Sequence, residues 1–438
     1  MEKTPTKQTI HSQGIYHGLP DLSDAPTGLT AIVTGANGIS GAHTIRVLAQ
    51  SPQRWTKIYA LSRRPPSGTW PEQVEHIPLD FLKSPEEIAA VLQDRKIAAP
   101  IYVFWYAYIL VTDDSGALQW GDRRLIDQNN LILTNFLEAL PQAAITPKRI
   151  SLQYGQKWYG VHLGATSVPD TEDNPRLSPE VGGLYYSQHD ILTAFCARHN
   201  NGETETQWNA ALPSFVVGAA LDSSQSLLFP LLVYASVQKH LGKELEYPSD
   251  TTAWVAPLSV SNAVLNSHMY EWAVLSAQTA NQMFNASDDC AFTWGSFWPK
   301  LAAYFDMPYT GPSTKSDVEY KEKPMPGSSP PHGLGGEPSV MKYRFSFVEW
   351  AKQPENVSAW KALAEKHGLR ESEWKDIGSI FGRADFALLR PYPSLMSTAK
   401  AKKYGWFGFV DSSESILSVA DEFVAMKIIP PPSSIGTS

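Results

Sequence analysis

Cysteine is nearly missing from this 438-residue chain: Cys196 and Cys290 are the only two. Two thiols cannot make a disulfide framework, and neither stands at metal-ligand spacing. Both are expected to be buried free thiols, and no metal site is expected. Charge is sparse as well, at 18% of residues, with 36 Lys and Arg against 44 Asp and Glu and a net charge of −8. Such a mild acidic excess offers no general attraction to nucleic acid. Long apolar runs are also lacking. The stretch around Leu227 to Ala235 is too short to span a membrane and contains Pro230. The opening residues, MEKTPTKQTIHSQGIYHGLPDLSD, hold no apolar core of signal-peptide length. The expectation is a soluble cytoplasmic protein with neither a nucleic-acid nor a membrane partner.

Aromatic residues are plentiful, with 14 Trp, 18 Tyr and 17 Phe, and hydrophobic residues reach 43%. That composition is globular, and it suits both core packing and a pocket for an apolar small molecule. A chain of this length predicts one large domain with an appended lobe. Residues 1–28 read as a loose, flexible lead-in. From Leu29 onward strands alternate with helices: LTAIVTG, then ISGAHTIRVLAQ, then KIYALSR. SPEEIAAVLQDR follows as a helix capped at Ser84, then IYVFWYAY as an apolar strand, NNLILTNFLEAL as a helix and RISLQYG as a strand. This alternation predicts an α/β fold, a Rossmann-type doubly wound parallel sheet over residues 29–220. The helix YYSQHDILTAFCARH and the strand QWNAALPSFVVG end that core. Residues 221–438 read as a mainly helical substrate-binding lobe, with a possible return to the core. FTWGSFWPKLAAYF and SFVEWAKQPENVSAWKALAEKHGL supply amphipathic helices. A Pro/Gly-rich stretch at 311–339 reads as a mobile loop.

TGANGISG lies directly between the first strand and the first helix. Its glycines permit a tight turn and a close approach of backbone to pyrophosphate, while the helix N-terminus offers free N–H groups. Thr34, Gly35, Asn37, Gly38, Ile39 and Gly41 are therefore candidates to hold a dinucleotide. After the second strand stand Ser62, Arg63 and Arg64, with no acidic residue among them. Planar guanidinium groups suit a 2′-phosphate, so NADP(H) is the expected cofactor. Asp80, after the next short strand, is equally readable as an adenine partner or as a turn residue.

Ordinary short-chain dehydrogenases carry Tyr-x-x-x-Lys on one helix face. Here position 189 is His and no such pair follows Tyr185; instead Lys157, in SLQYGQKWYG, precedes Tyr185, in LYYSQHDIL, by 28 residues. With TGANGISG, LSRRPP, GQKWYG and GLYYSQHD in order, the chain resembles the progesterone 5β-reductase/iridoid synthase-like (PRISE) group, an atypical branch of the extended short-chain dehydrogenase/reductases. Blocks such as AWVAPLSVSNAV, WKDIGSIFG and TAKAKKYGWFGFVDSSESI extend the resemblance through nearly the whole chain. It implies that Lys157 and Tyr185 are catalytic. There are departures: Gly183-Leu184 replaces Asn-Phe, His189 replaces Glu, Ala107-Tyr108 replaces Thr-Trp, and Leu212-Pro213-Ser214 replaces Arg-Pro-Gly. The stretch from Pro324 to Pro338 is longer than usual. Since several of these flank the place of the nicotinamide, the resemblance does not carry a substrate identity.

An enone reductase needs a hydride, which NADPH supplies, and a group to stabilise charge on oxygen. Tyr185 suits that role as oxyanion donor or acid, and Lys157 can hold the nicotinamide ribose and lower the Tyr pKa. Gln153, Ala107 and Pro213 are further cofactor-site candidates. Asn129 can brace the Lys, and His189 can tune Tyr185 from one helical turn away; core or surface roles fit each of them as well. Tyr186 reads as packing. The expected activity is NADPH-dependent reduction of an apolar α,β-unsaturated carbonyl compound, or of a ketone, in secondary metabolism. The alternative is a cyclase or isomerase that keeps the dinucleotide fold without net redox. A homodimer is compatible with the sequence.

Overall fold

The computed structural model describes residues 8–111, 122–177, 179–200, 205–221, 226–313, 318–325, 339–374 and 376–436, without the side chains of 179–182. Residues 10–20, read from the sequence as part of a loose lead-in, form a hairpin of β1 (Ile10–Gln13) and β2 (Tyr16–Pro20). Its second strand is buried at Gly18, Leu19 and Pro20, and His17 bridges to Phe409. Pairing with a distant segment supplies the order that local sequence does not.

The centre of the molecule is a seven-stranded sheet. Its strands are β3 (Leu29–Thr34), β4 (Trp55–Ser62), β5 (Val74–Pro78), β6 (Ile101–Trp105), β7 (Pro147–Gln153), β8 (Gln207–Pro213) and β12 (Gln282–Ala286). They lie in the order β12-β8-β7-β6-β3-β4-β5, and every pairing is parallel. β3 and β6 are buried at every residue, so they are apolar throughout rather than alternating, as a sheet covered on both faces requires. α1 (Ile39–Ala49), α2 (Pro85–Gln93), α3 (Arg123–Gln142) and α4 (Pro179–Arg198) supply the crossovers. Ser84 caps α2 through a reciprocal pair with Glu87. Strand order reverses between β3 and β6, which opens a crevice at their carboxyl ends.

QWNAALPSFVVG, read as one strand, divides. β8 stays in the sheet, whereas β9 (Phe215–Val217) pairs in parallel with β11 (Val260–Asn262). Pro213 has no N–H to extend the ladder, and the Ser214 N–H donates instead to Ser261 Oγ at 2.8 Å. Two elements from beyond residue 220 complete the core. They are β12, at the sheet edge, and α7 (Ala263–Leu275), which packs against α1.

The lobe is built from α5 (Leu228–His240), α8 (Trp294–Tyr304), α9 (Phe347–Ala351), α10 (Pro354–His367), α11 (Ile377–Leu388) and α13 (Ser412–Ala425). Short α6 (Thr251–Val255) and α12 (Ala399–Lys403) link longer pieces. The run expected as one helix from Ser346 breaks into α9 and α10 because Pro354 starts a new first turn. Buried aromatics fill the lobe core, and several of their polar ends find carbonyl partners, while Trp360 Nε1 has none among the described residues. Trp298 donates to Leu245 O at 2.8 Å, Trp294 to Ala387 O at 3.0 Å, and Tyr247 to Leu388 O at 2.9 Å. Two small pairings, β10 (Leu245–Glu246) with β13 (Tyr309–Thr310) and β14 (Lys321–Pro324) with β15 (Val340–Tyr343), edge the lobe. Much of the expected mobile loop, residues 314–317 and 326–338, lies outside the described residues, as does most of the long Pro324–Pro338 stretch. Cys196 is buried, but Cys290, expected to be buried, is only half-buried beside an exposed turn.

Candidate active site

A cavity of about 1300 Å³ lies across the carboxyl ends of β3 to β8 and reaches α11 of the lobe. Ligand pockets of drug-sized molecules run to roughly 300–1,000 Å³, so this one has room for two molecules side by side.

At one end lies the glycine loop. Gly35, Asn37, Gly38, Ile39 and Gly41 all line the cavity. A Cβ on Gly41 would stand 2.3 Å from Gly35 O, so only glycine lets α1 close on the loop here. No side chain caps α1, which leaves first-turn N–H groups open beside the cavity, and Asn37 Oδ1 is buried without a partner among the described residues. An uncapped helix start with an orphan acceptor suits a dinucleotide pyrophosphate and its ribose hydroxyls. Thr34 differs: it is fully buried and does not reach the cavity. Its hydroxyl instead accepts from the N–H groups of Tyr106 and Ala107, at 2.9 and 3.1 Å, and so shapes the end of β6.

Ser62 ends β4 on the cavity rim and Arg63 and Arg64 follow it, both arginines exposed. The Ser62 hydroxyl is turned onto its own loop and donates to Arg64 O at 2.6 Å. Asp80 lines the same end and also makes a turn, accepting from Leu82 N at 3.1 Å, so its two readings are compatible. Gln153, Ala107 and Pro213 line the middle of the cavity. Gln153 Oε1 is held by the Tyr270 hydroxyl at 2.7 Å.

Lys157 and Tyr185 both line the other end. Lys157 sits in a tight turn, Gln156–Tyr159, that is pinned from two sides. Tyr159 donates to Asn285 Oδ1 on β12 at 2.7 Å, and the Tyr186 hydroxyl donates to Trp158 O at 2.8 Å while accepting from Leu177 N. Tyr186 thus anchors the lysine turn. Burial, helped by Arg383, lowers the Lys157 ammonium to about 7. Burial raises the Tyr185 phenol far above its ordinary range, with the neighbouring Tyr108 adding to it. The hydroxyl is therefore a donor and not a phenolate.

Two glycines aim that hydroxyl. A Cβ on Gly155 would come within 2.9 Å of it, so the tyrosine reaches its position over bare backbone. Gly183, at φ 44° and ψ −116°, kinks α4 two residues earlier.

Two expected braces lie elsewhere. Asn129 grips the strand-end segment, donating to Ile109 O at 2.9 Å and accepting from Ile109 N at 2.8 Å, and it also donates to Leu125 O at 2.8 Å. Its buried amide thus satisfies both backbone groups of Ile109 at once. His189 points away from the cavity, meets the Tyr154 hydroxyl at 3.2 Å and packs edge-on to Trp208. Burial lowers it to about 4, so it is neutral. The Tyr154 ring links the two, with its centroid 5.9 Å from that of His189 and 5.7 Å from that of Tyr185.

The sequence reading missed what the lobe contributes. Gly378, Ser379, Gly382, Arg383 and Phe386 present one face of α11 to the cavity, and Arg390 follows. His162 lines it too and is lowered to about 3 by burial and by Lys157. The run FGRADFALLRPYP carries Arg383, Asp385 and Arg390 among apolar residues, but that pattern alone does not say which of them faces a cavity. Among the described residues no cluster of His, Cys, Asp or Glu is arranged to hold a metal, and no helix is long and apolar enough to cross a membrane.

A profile of the PRISE-like Rossmann-fold domain matches residues 31–322. The chain belongs to this family. Relatives of the PRISE-like chain include a short chain dehydrogenase, gsfE, of Penicillium aethiopicum, 26% identical over 92% of this chain and 99% of its own length. A 3-oxo-Δ(4,5)-steroid 5β-reductase of Arabidopsis thaliana is 27% identical over 91% of this chain and 93% of its own. An (S)-8-oxocitronellyl enol synthase of Catharanthus roseus is 27% identical over 91% and 92%. Among solved structures, the terminal R domain of a myxalamid PKS-NRPS pathway shares the fold, with a TM-score of 0.55 and 14% identity over 93% of both chains.

Proposed function

We propose that this PRISE-like protein is an NADPH-dependent reductase of the short-chain dehydrogenase/reductase type, acting on an α,β-unsaturated carbonyl compound. The observation that carries the reading is the junction of an uncapped helix start and the Lys157–Tyr185 pair on one cavity. The names of its relatives, two of them a reductase and a dehydrogenase, support it.

NADPH, when bound, supplies the hydride. Gly35 to Gly41 and the start of α1 would hold its pyrophosphate, and Arg63 and Arg64 its 2′-phosphate. Tyr185, kept protonated by burial, donates a hydrogen bond to the carbonyl oxygen as negative charge gathers there. Lys157 adds positive charge beside it and can hold a ribose hydroxyl. The lobe face of α11 excludes water from the reacting atoms.

The test is a panel of enones, enals and ketones followed by NADPH absorbance and product analysis. A saturated ketone marks hydride delivery to the β-carbon, and an allylic alcohol marks delivery to the carbonyl. Tyr185→Phe is expected to keep NADPH affinity and lose about 10²–10³-fold in kcat, the usual cost of one oxyanion donor. Substrate conversion without NADPH consumption would instead establish the cyclase or isomerase.

A further inference from the structure

Arg390 is the most buried cation of the cavity wall, only 2% exposed. None of its guanidinium nitrogens, Nε, Nη1 or Nη2, has a hydrogen-bond partner among the described residues. Aromatic rings cover it instead: Phe215 at 4.8 Å, Phe386 at 5.1 Å and Tyr392 at 5.8 Å. Ring faces attract a cation but accept none of its five in-plane N–H groups. The carboxylate whose charge reaches it is Asp170, which stands beyond ion-pair distance. Asp170 is bound on Oδ2 by Gln156 at 3.3 Å, and burial raises it to about 7, so it neutralises Arg390 only in part.

A buried guanidinium without acceptors is costly, and such groups occur where a ligand completes them. The backbone around Arg390 is rigid. Ser394 N donates to Pro257 O at 2.9 Å, its hydroxyl donates to Gln156 Oε1 at 2.9 Å, and the Tyr392 hydroxyl donates to Val161 O at 2.7 Å. The site is therefore held ready. Gln156 precedes Lys157, so the Ser394–Gln156 bond ties the segment that carries Arg390 to the lysine turn. Phe215 and Phe386, the two rings nearest to it, line the cavity with it and are partly exposed.

We infer that Arg390 is the anion anchor of the substrate pocket and that the substrate is an apolar enone carrying a carboxylate. A carboxylate matches the planar fork in shape and charge, and supplies the acceptors it lacks. This rests on reading the cavity as a reductase pocket, and the experiment separates the two.

Equilibrium binding and turnover are measured with trans-4-(3-oxobut-1-enyl)benzoate and its methyl ester, which share one enone and carry the carboxyl group across the ring from it. The acid is expected to bind at least tenfold more tightly than the ester and to have the higher kcat/KM. In Arg390→Gln that ratio should collapse to about one, and Arg390→Lys should restore part of it. Equal affinity of acid and ester for the native protein would overturn the anchor, and so would an unchanged ratio in Arg390→Gln. Loss of NADPH affinity in Arg390→Gln, matching the loss of acid affinity, would assign the guanidinium to the cofactor and also overturn it. Should the variants not fold, the native acid-to-ester ratio decides alone. Arg390-dependent binding of the acid without NADPH oxidation would sustain the anchor and remove the reductase. Reduction of both compounds with equal efficiency would do the reverse.

Discussion

Lys157 and Tyr185 titrate in opposite directions for one reason. Burial disfavours the charged form of each, lowering the ammonium to about 7 and raising the phenol beyond reach of ordinary pH. Of the two, only the lysine therefore changes state under physiological conditions. If its charge assists the reaction, kcat/KM of the free enzyme is highest below pH 7 and falls as pH rises through about 7, where the ammonium loses its proton. The pH profile with NADPH and an enone checks this. Lys157→Arg, which stays charged, should flatten the falling limb while lowering the rate. A native profile level to about pH 9 would remove the lysine charge from the mechanism. Several candidate residues were legible at this scale because loop glycines, a post-strand arginine pair and the two motifs are local patterns. Arg390 and Arg383 were not, since nothing local tells that an arginine after an apolar helix faces a cavity built mainly by residues some 200 positions earlier.

At the scale of elements, α4 shows how backbone geometry aims a side chain. Gly183 sits at φ 44° and ψ −116°, where a Cβ is strongly disfavoured, although the nearest atom to such a Cβ, on Ile126, is an ordinary 3.5 Å away. Backbone strain, not crowding, is thus what glycine relieves. Gly183→Ala is expected to lower stability by about 1–3 kcal/mol in urea unfolding. It should also lower kcat, because a straightened start to α4 turns Tyr185 away from Gly155. Unchanged stability together with unchanged kcat would show that the kink is dispensable. The two places where expected elements broke, Ser214 and Pro354, share a cause. A proline interrupts regular hydrogen bonding at each, and tertiary partners then decide where the next element goes.

For the whole molecule, the cavity depends on the sheet and the lobe together, so a ligand that fills it stabilises both. Ligand at 100 times its Kd adds about 2.7 kcal/mol to stability. At equal concentrations NADPH should raise the thermal midpoint clearly more than NADH, through contacts of its 2′-phosphate with Arg63 and Arg64. In the Arg63→Ala/Arg64→Ala protein the two cofactors should give equal shifts. Equal shifts in the native protein would mean that these exposed arginines do not choose the cofactor.

The sequence by itself determined the alternating strands and helices, the glycine loop at the first crossover and the family, because hydrophobic period, turn residues and short motifs act over a few positions. Tertiary structure alone decided that β12 and α7 complete the core and that the amino-terminal segment pairs with residue 409. It also decided that Thr34, Asn129 and His189 support the site from behind, and that Arg390 stands in its wall without a hydrogen-bond acceptor among the described residues. Each of these depends on contacts between residues far apart in the chain. Such contacts are selected by the packing of whole layers, and local pattern does not encode them.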